Sequence, residues 1–167
     1  MQDTVGEAVA CNCIGVDYML IASPPTDAGT LLGFKSSATS IRHLNEAVQY
    51  HKQHFYVSDN GGKYVAHINL GLCYGMLGDI TNAAKHYQDA LRIAIKMQTL
   101  YGQSIAVGNL GMLALVKKDL VTSRTCFQQV RIHMIPLTSV GNHYFPCEGK
   151  TNLSISESLF NLCLCAY

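Results

Sequence analysis

Two stretches of this chain superimpose without a gap at a spacing of 40 residues, and that repeat limits the fold more than any other feature. Residues 64–80 align with residues 104–120, with identities at Ala66/Ala106, Asn69/Asn109, Leu70/Leu110, Gly71/Gly111 and Asp79/Asp119. Downstream, Tyr87 aligns with Phe127 and Ala90 with Val130. Both pairs set a large ring three positions before a smaller apolar residue, which is one face of a helix. A chain with such a period stacks similar supersecondary units, each burying its apolar face on its neighbours.

Each unit reads as two helices. The first spans about residues 63–77, with Val65, Ile68, Leu70, Leu72, Cys73 and Met76 surrounding most of its circumference. Glycine in mid-helix costs about 1 kcal/mol relative to alanine. Its recurrence at Gly71 and Gly111 therefore predicts close approach of a neighbouring helix. Gly78-Asp79 makes the turn, and Asp79 is placed to cap a second helix over residues 80–97. Ala83, Ala84, Tyr87, Ala90, Leu91 and Ile95 form the inner side of that helix.

These residues resemble the tetratricopeptide repeat. The motif stands here as Leu70, Gly71, Tyr74, Gly78, Asp79, Ala83, Tyr87 and Ala90. The following unit keeps Leu110, Gly111, Asp119 and Phe127, with Ala114, Lys118, Ser123 and Val130 at the remaining positions. The 40-residue spacing is similar to the longer-period branch of that family, which includes kinesin light chains and spindle-orientation adaptors. An earlier unit follows the same pattern. Ile14, Gly15 and Tyr18 take the Leu, Gly and Tyr positions, and Leu44 and Ala47 take the ring and Ala positions. The resemblance implies an all-α, right-handed helical-repeat solenoid of about three antiparallel helix pairs within residues 1–135. The units are 7–56, interrupted by a loop at 22–39, then 63–99 and 103–135. Pro136 is expected to end the last helix. Residues 136–167 read as an irregular tail with a short apolar helix at 154–166. An array that ends in Leu-Cys-Leu-Cys-Ala-Tyr instead of a polar cap suggests a truncated or spliced form of a longer repeat protein.

The chain of 167 residues is 49% hydrophobic and only 14% charged, with a net charge of +1. Such a balance supplies no strong attraction to nucleic acid or to a membrane surface. No run of about 18 uninterrupted apolar residues occurs, so no membrane span is expected. Seven cysteines cannot all pair within one chain, and the N-terminal MQDTVGEAVA lacks the basic region of a secretory signal. A reducing, cytoplasmic location with free thiols is the expectation.

No catalytic motif is present: no phosphate-binding loop, dinucleotide fingerprint, nucleophile elbow or His-Glu-x-x-His. Cys73 with His67 or His86 can be written as a thiol–imidazole pair, but a small buried thiol explains Cys73 better. Cys11-x-Cys13 and Cys163-x-Cys165 are spaced too tightly for a usual zinc site. His51-x-x-His54, with His43 two turns earlier, reads as ordinary surface histidine. The expectation is therefore no enzyme, no metal and no cofactor.

By resemblance, the first helix of each unit lines a concave groove. Its positions here are Val9, Asn12, Cys13 and Val16, then Val65, Ile68, Asn69 and Leu72, then Ile105, Gly108, Asn109 and Met112. Lysine and arginine are absent from this set, so a carboxylate clamp is not expected. A primary amide donates to C=O and accepts from N–H together. Asn69 and Asn109 therefore either read a bound peptide's backbone or bond between helices and hold the stacking angle. The expected function is a non-enzymatic adaptor that takes a protein or peptide partner. The alternative is a structural piece that self-associates through its apolar C-terminal tail.

Overall fold

The structure, a computed structural model, describes residues 3–22 and 37–138. Most of the 22–39 insertion and the tail beyond 138, including the expected helix at 154–166, lie outside the described residues. Every element among the described residues is an α-helix: α1 (Thr4–Ala22), α2 (Ala38–Val57), α3 (Asn60–Met76), α4 (Ile80–Lys96), α5 (Leu100–Val116) and α6 (Leu120–Thr138). Helix α2 packs on α1 and on α3, α5 packs on α6, and the chain divides into two compact units, Met1–Ile93 and Ala94–Tyr167.

Helix starts follow a shared grammar. Asp3, Asp59 and Thr99 each accept a bond from the backbone N–H three residues on, at Gly6 (2.9 Å), Gly62 (2.9 Å) and Gly102 (3.2 Å). Each of these caps precedes α1, α3 or α5 and stands 12 residues before Gly15, Gly71 or Gly111. Asp79 and Asp119 cap α4 and α6 in the same way, accepting from Asn82 (3.0 Å) and Thr122 (3.1 Å). A side-chain cap of this kind contributes about 1 kcal/mol by satisfying an amide left open at the helix end. Both carboxyls are held below the ordinary aspartate range, Asp79 chiefly by the Asn82 backbone bond and Asp119 chiefly by the Thr122 side chain and then its backbone N–H. Caps at 59, 79, 99 and 119 recur every 20 residues, so the 40-residue period consists of two equal halves.

The turns repeat as well. Gly78, Gln98 and Lys118 adopt left-handed backbone at φ 80°, 56° and 61°. Behind them, Asp79, Thr99 and Asp119 donate backbone N–H to the carbonyls of Tyr74, Ala94 and Ala114 (2.9, 3.1 and 2.9 Å). Only glycine takes that conformation without steric cost.

In the first unit, Met19, Leu44, Ala47, Leu70, Cys73, Ala83 and Ala90 are buried between helices. The mid-helix glycines explain how close those helices come. A Cβ on Gly71 would fall 2.7 Å from Cδ1 of Tyr87, and closer still to Cε1. On Gly111 it would fall 2.9 Å from Cβ of Cys126 and 3.3 Å from the Phe127 ring. On Gly15 it would fall 2.6–2.9 Å from three ring atoms of His51.

The last contact corrects the sequence alignment of the first pair. The ring facing Gly15 is His51, seven residues beyond Leu44. The stacked pair Tyr18–Tyr50 (5.7 Å) occupies the same positions as the stacked pair Tyr74–His86 (5.3 Å). In this register Ala47 is the counterpart of Ala83, and His54 that of Ala90. The insertion hid the register, because Leu44 and Ala47 satisfy the ring-then-alanine spacing by themselves.

A second boundary also differs: α6 continues two residues past Pro136 to Thr138. Helix ends shift by a residue or two without changing the packing behind them. Helix α1 is long and apolar enough to cross a membrane by length and composition, despite Glu7, Asn12 and Asp17. One side carries exposed Val5, Val9, Leu20 and Ile21, and the other buries Cys11, Gly15, Met19 and Ala22.

Candidate functional site

The proposed groove positions divide by burial. Ile68, Asn69, Leu72 and Ile105 are buried, as is Gly108, whereas Asn12, Val16, Val65, Asn109 and Met112 are half-buried. Val9 and Cys13 are exposed. Asn69 Nδ2 donates to Asn12 Oδ1 at 2.9 Å, bridging α3 and α1. Asn109 Nδ2 donates backward along its own helix to the Ile105 carbonyl at 3.1 Å. Asn69 thus carries the interhelical bond of the two roles open to it, and Asn109 bonds within its helix.

The signature residues are structural in their surroundings. Ala47, Ala83 and Ala90 are fully enclosed, and so are their neighbours Ala66 and Cys73, which lie outside the signature. Burial pushes the Cys73 thiol up to about 12, so it is a neutral packing group at physiological pH. The described cysteines, Cys11, Cys13, Cys73 and Cys126, are free. Burial, and next the Glu7 charge, raises Cys11, whose Sγ lies 3.8 Å from Gln53 Oε1. Cys73 does not form a thiolate partner for His67 or His86.

Those two histidines instead meet each other. His67 Nδ1 and His86 Nδ1 are 2.9 Å apart, with one neutral ring donating to the other. Asp89, one turn after His86 on α4, completes a half-buried group whose ligand-type atoms all lie within 4.8 Å. Phe55 sets its ring edge-on to His67 at 5.0 Å, and Tyr74 stacks flat on His86 at 5.3 Å and 6°. Asp89 pairs with Arg92 at 2.9 Å. Burial, then repulsion from His67, holds His86 down at about 4, and burial also lowers His67.

His51 and His54 of α2 are buried packing groups. Neither ring nitrogen of His51 has a hydrogen-bond partner among the described residues, and the side chain is fully buried. Burial, followed by the charge of His54, brings its pKa down to about 4. Sequence reading took His51 and His54 for surface residues. The signal that could have placed them was the spacing from the Asp3–Gly6–Gly15 frame, which marks α1 as a first helix.

No protein-family model matches the chain, and no curated protein matches it.

Proposed function

We infer that this chain is a non-enzymatic adaptor built from tetratricopeptide-like helix pairs, winding as a right-handed solenoid of about three pairs in a cytoplasmic, reducing setting. Its partner is a protein segment, either an extended peptide or an apolar helix. The observation that carries this reading is the frame repeated in α1, α3 and α5. A side-chain cap is followed three residues later by one glycine and twelve residues later by another, which faces an aromatic ring on the next helix. Identical spacing in three first helices is what an array needs to present equivalent side chains to one ligand.

The contact residues favoured by this reading are the half-buried ones: Val16, Val65 and Met112, with the amide of Asn109. Ile68, Leu72 and Ile105 are buried and are not contact residues in this reading. Peptides selected from a displayed library against the full chain test the proposal. Val65→Lys and Met112→Lys should weaken the selected peptides at least tenfold with helicity unchanged, because a buried ammonium opposes an apolar contact. Unchanged affinity in both variants would rule out these faces as the binding surface.

A further inference from the structure

We propose that His67, His86 and Asp89 form a binding site for a divalent transition-metal ion of the zinc type, clamping α3 to α4. His86 and Asp89 lie three residues apart on α4, so their side chains share one face. His67 faces them from α3, and the two imidazole nitrogens already converge to 2.9 Å. Two nitrogens on one tetrahedral zinc ion stand about 3.3 Å apart, given Zn–N bonds of about 2.0–2.1 Å. Opening the histidine pair by a few tenths of an ångström therefore admits the ion. The carboxylate must swing inward by somewhat more, a motion within reach of side-chain rotation. Its ion pair with Arg92 uses Oδ1 only, and a carboxylate has two oxygens.

The donor set selects the ion. Two imidazoles and one carboxylate suit zinc or its first-row neighbours, whereas calcium and magnesium prefer oxygen throughout. Three protein ligands leave a fourth position for water. The ring orientations are already held, with Phe55 against His67 and Tyr74 flat on His86. Arg92, Lys52 and Lys85 oppose a cation here and set an upper limit on affinity.

The other helix pairs strengthen the assignment. At the positions of His67, His86 and Asp89, α1–α2 carries Cys11, Tyr50 and Gln53, and α5–α6 carries Val107, Cys126 and Gln129. The fold therefore does not demand this trio. It occurs only in the middle pair, where all three members are ligand types.

Calorimetric titration of the full chain with zinc chloride, thiols kept reduced by a phosphine, tests the site. One ion should bind per chain. His67→Ala and His86→Ala should weaken binding roughly 100-fold, and Asp89→Asn roughly tenfold. Cys126→Ser, which alters a half-buried free thiol of α6, should leave zinc binding unchanged. Imidazole nitrogen NMR of the unaltered chain keeps the test decisive if a histidine variant fails to fold: zinc should move the His67 and His86 resonances first. The assignment is overturned if the chain takes up no zinc, if Asp89→Asn binds as tightly as the parent, or if zinc moves other histidines and leaves this pair in place.

Discussion

In α3–α4 the glycine at the helix crossing meets a tyrosine ring that is buried, whereas in α5–α6 its counterpart meets Phe127 and Cys126, both half-exposed. The two pairs share caps, turn bonds and the 16-residue separation between glycine and ring. They differ in how tightly that frame is filled. Ala83 is replaced by Ser123 and Gly78 by Lys118. A repeat can keep its backbone geometry while losing the side-chain fit that makes the geometry stable.

The largest effect should separate the two rings. Truncating a well-buried aromatic residue costs about 3–5 kcal/mol, through lost transfer energy and the cavity left behind. Tyr87→Ala should fall in that range, while Phe127→Ala, which already contacts solvent, should cost about half as much. Urea unfolding of both variants measures the difference. Equal losses would break the contrast between the pairs.

The third ring sharpens it by chemistry. His51 occupies the position of Tyr87 and Phe127 but can take a proton. Its folded pKa of about 4 lies below the ordinary value of 6.5. Its neutral form is thus favoured by folding, and that contribution is complete above the unfolded pKa. Stability should fall as pH drops from about 6.5 toward 4. The loss from this residue alone is about 3 kcal/mol, at 1.36 kcal/mol per pKa unit. His51→Phe supplies the ring type of the other pairs without the titration. Its unfolding free energy should lose correspondingly less over that interval. If the variant and parent show the same pH slope, burial of His51 is not what sets it.

Much of this architecture is visible in the residues. The 40-residue period, the close approach of a neighbouring helix at Gly71 and the Asp79 cap follow from spacing and local chemistry, and α3 and α4 begin and end within about three residues of the bounds 63–77 and 80–97. What escaped reading has physical reasons. The 20-residue half-period required recognising Thr99 as equivalent to Asp59 and Asp79, although the hydroxyl and carboxylate look dissimilar and only their cap bonds agree. The His51 register was displaced by the insertion, and a polar ring in a core position carries no hydrophobic signal. The pairing of His67 with His86 joins two helices across 19 residues. No periodicity within one helix marks such a contact. At the proposed groove, sequence names the faces but does not distinguish a buried Ile68 from a half-buried Val65.

A smaller effect distinguishes the two asparagines. Asn69→Ala removes the partner of the Asn12 amide and empties a buried polar position, which costs about 1–3 kcal/mol. Asn109→Ala removes a bond to the Ile105 carbonyl of its own helix, and alanine recovers helix propensity, so it should cost less than Asn69→Ala. Thermal unfolding followed by circular dichroism compares them. A larger loss at Asn109 would reverse the roles assigned to the two residues.

The smallest effect concerns the turns. Gly78 has φ +80° and open space around its missing Cβ, so substitution there is penalised by the backbone alone. Gly78→Ala should therefore cost about 1 kcal/mol, the usual penalty for an L side chain in left-handed backbone. Lys118 already bears that penalty at φ 61°. Lys118→Gly should return most of it, offset partly by the greater freedom of glycine in the unfolded chain. The expected gain is about 0.5 kcal/mol, read as a rise in urea midpoint with unchanged slope. The two substitutions thus move stability in opposite directions at equivalent positions. A loss in Lys118→Gly would mean that the lysine side chain supports the turn beyond its backbone, and that α5–α6 has a stabilising contact of its own in place of the glycine.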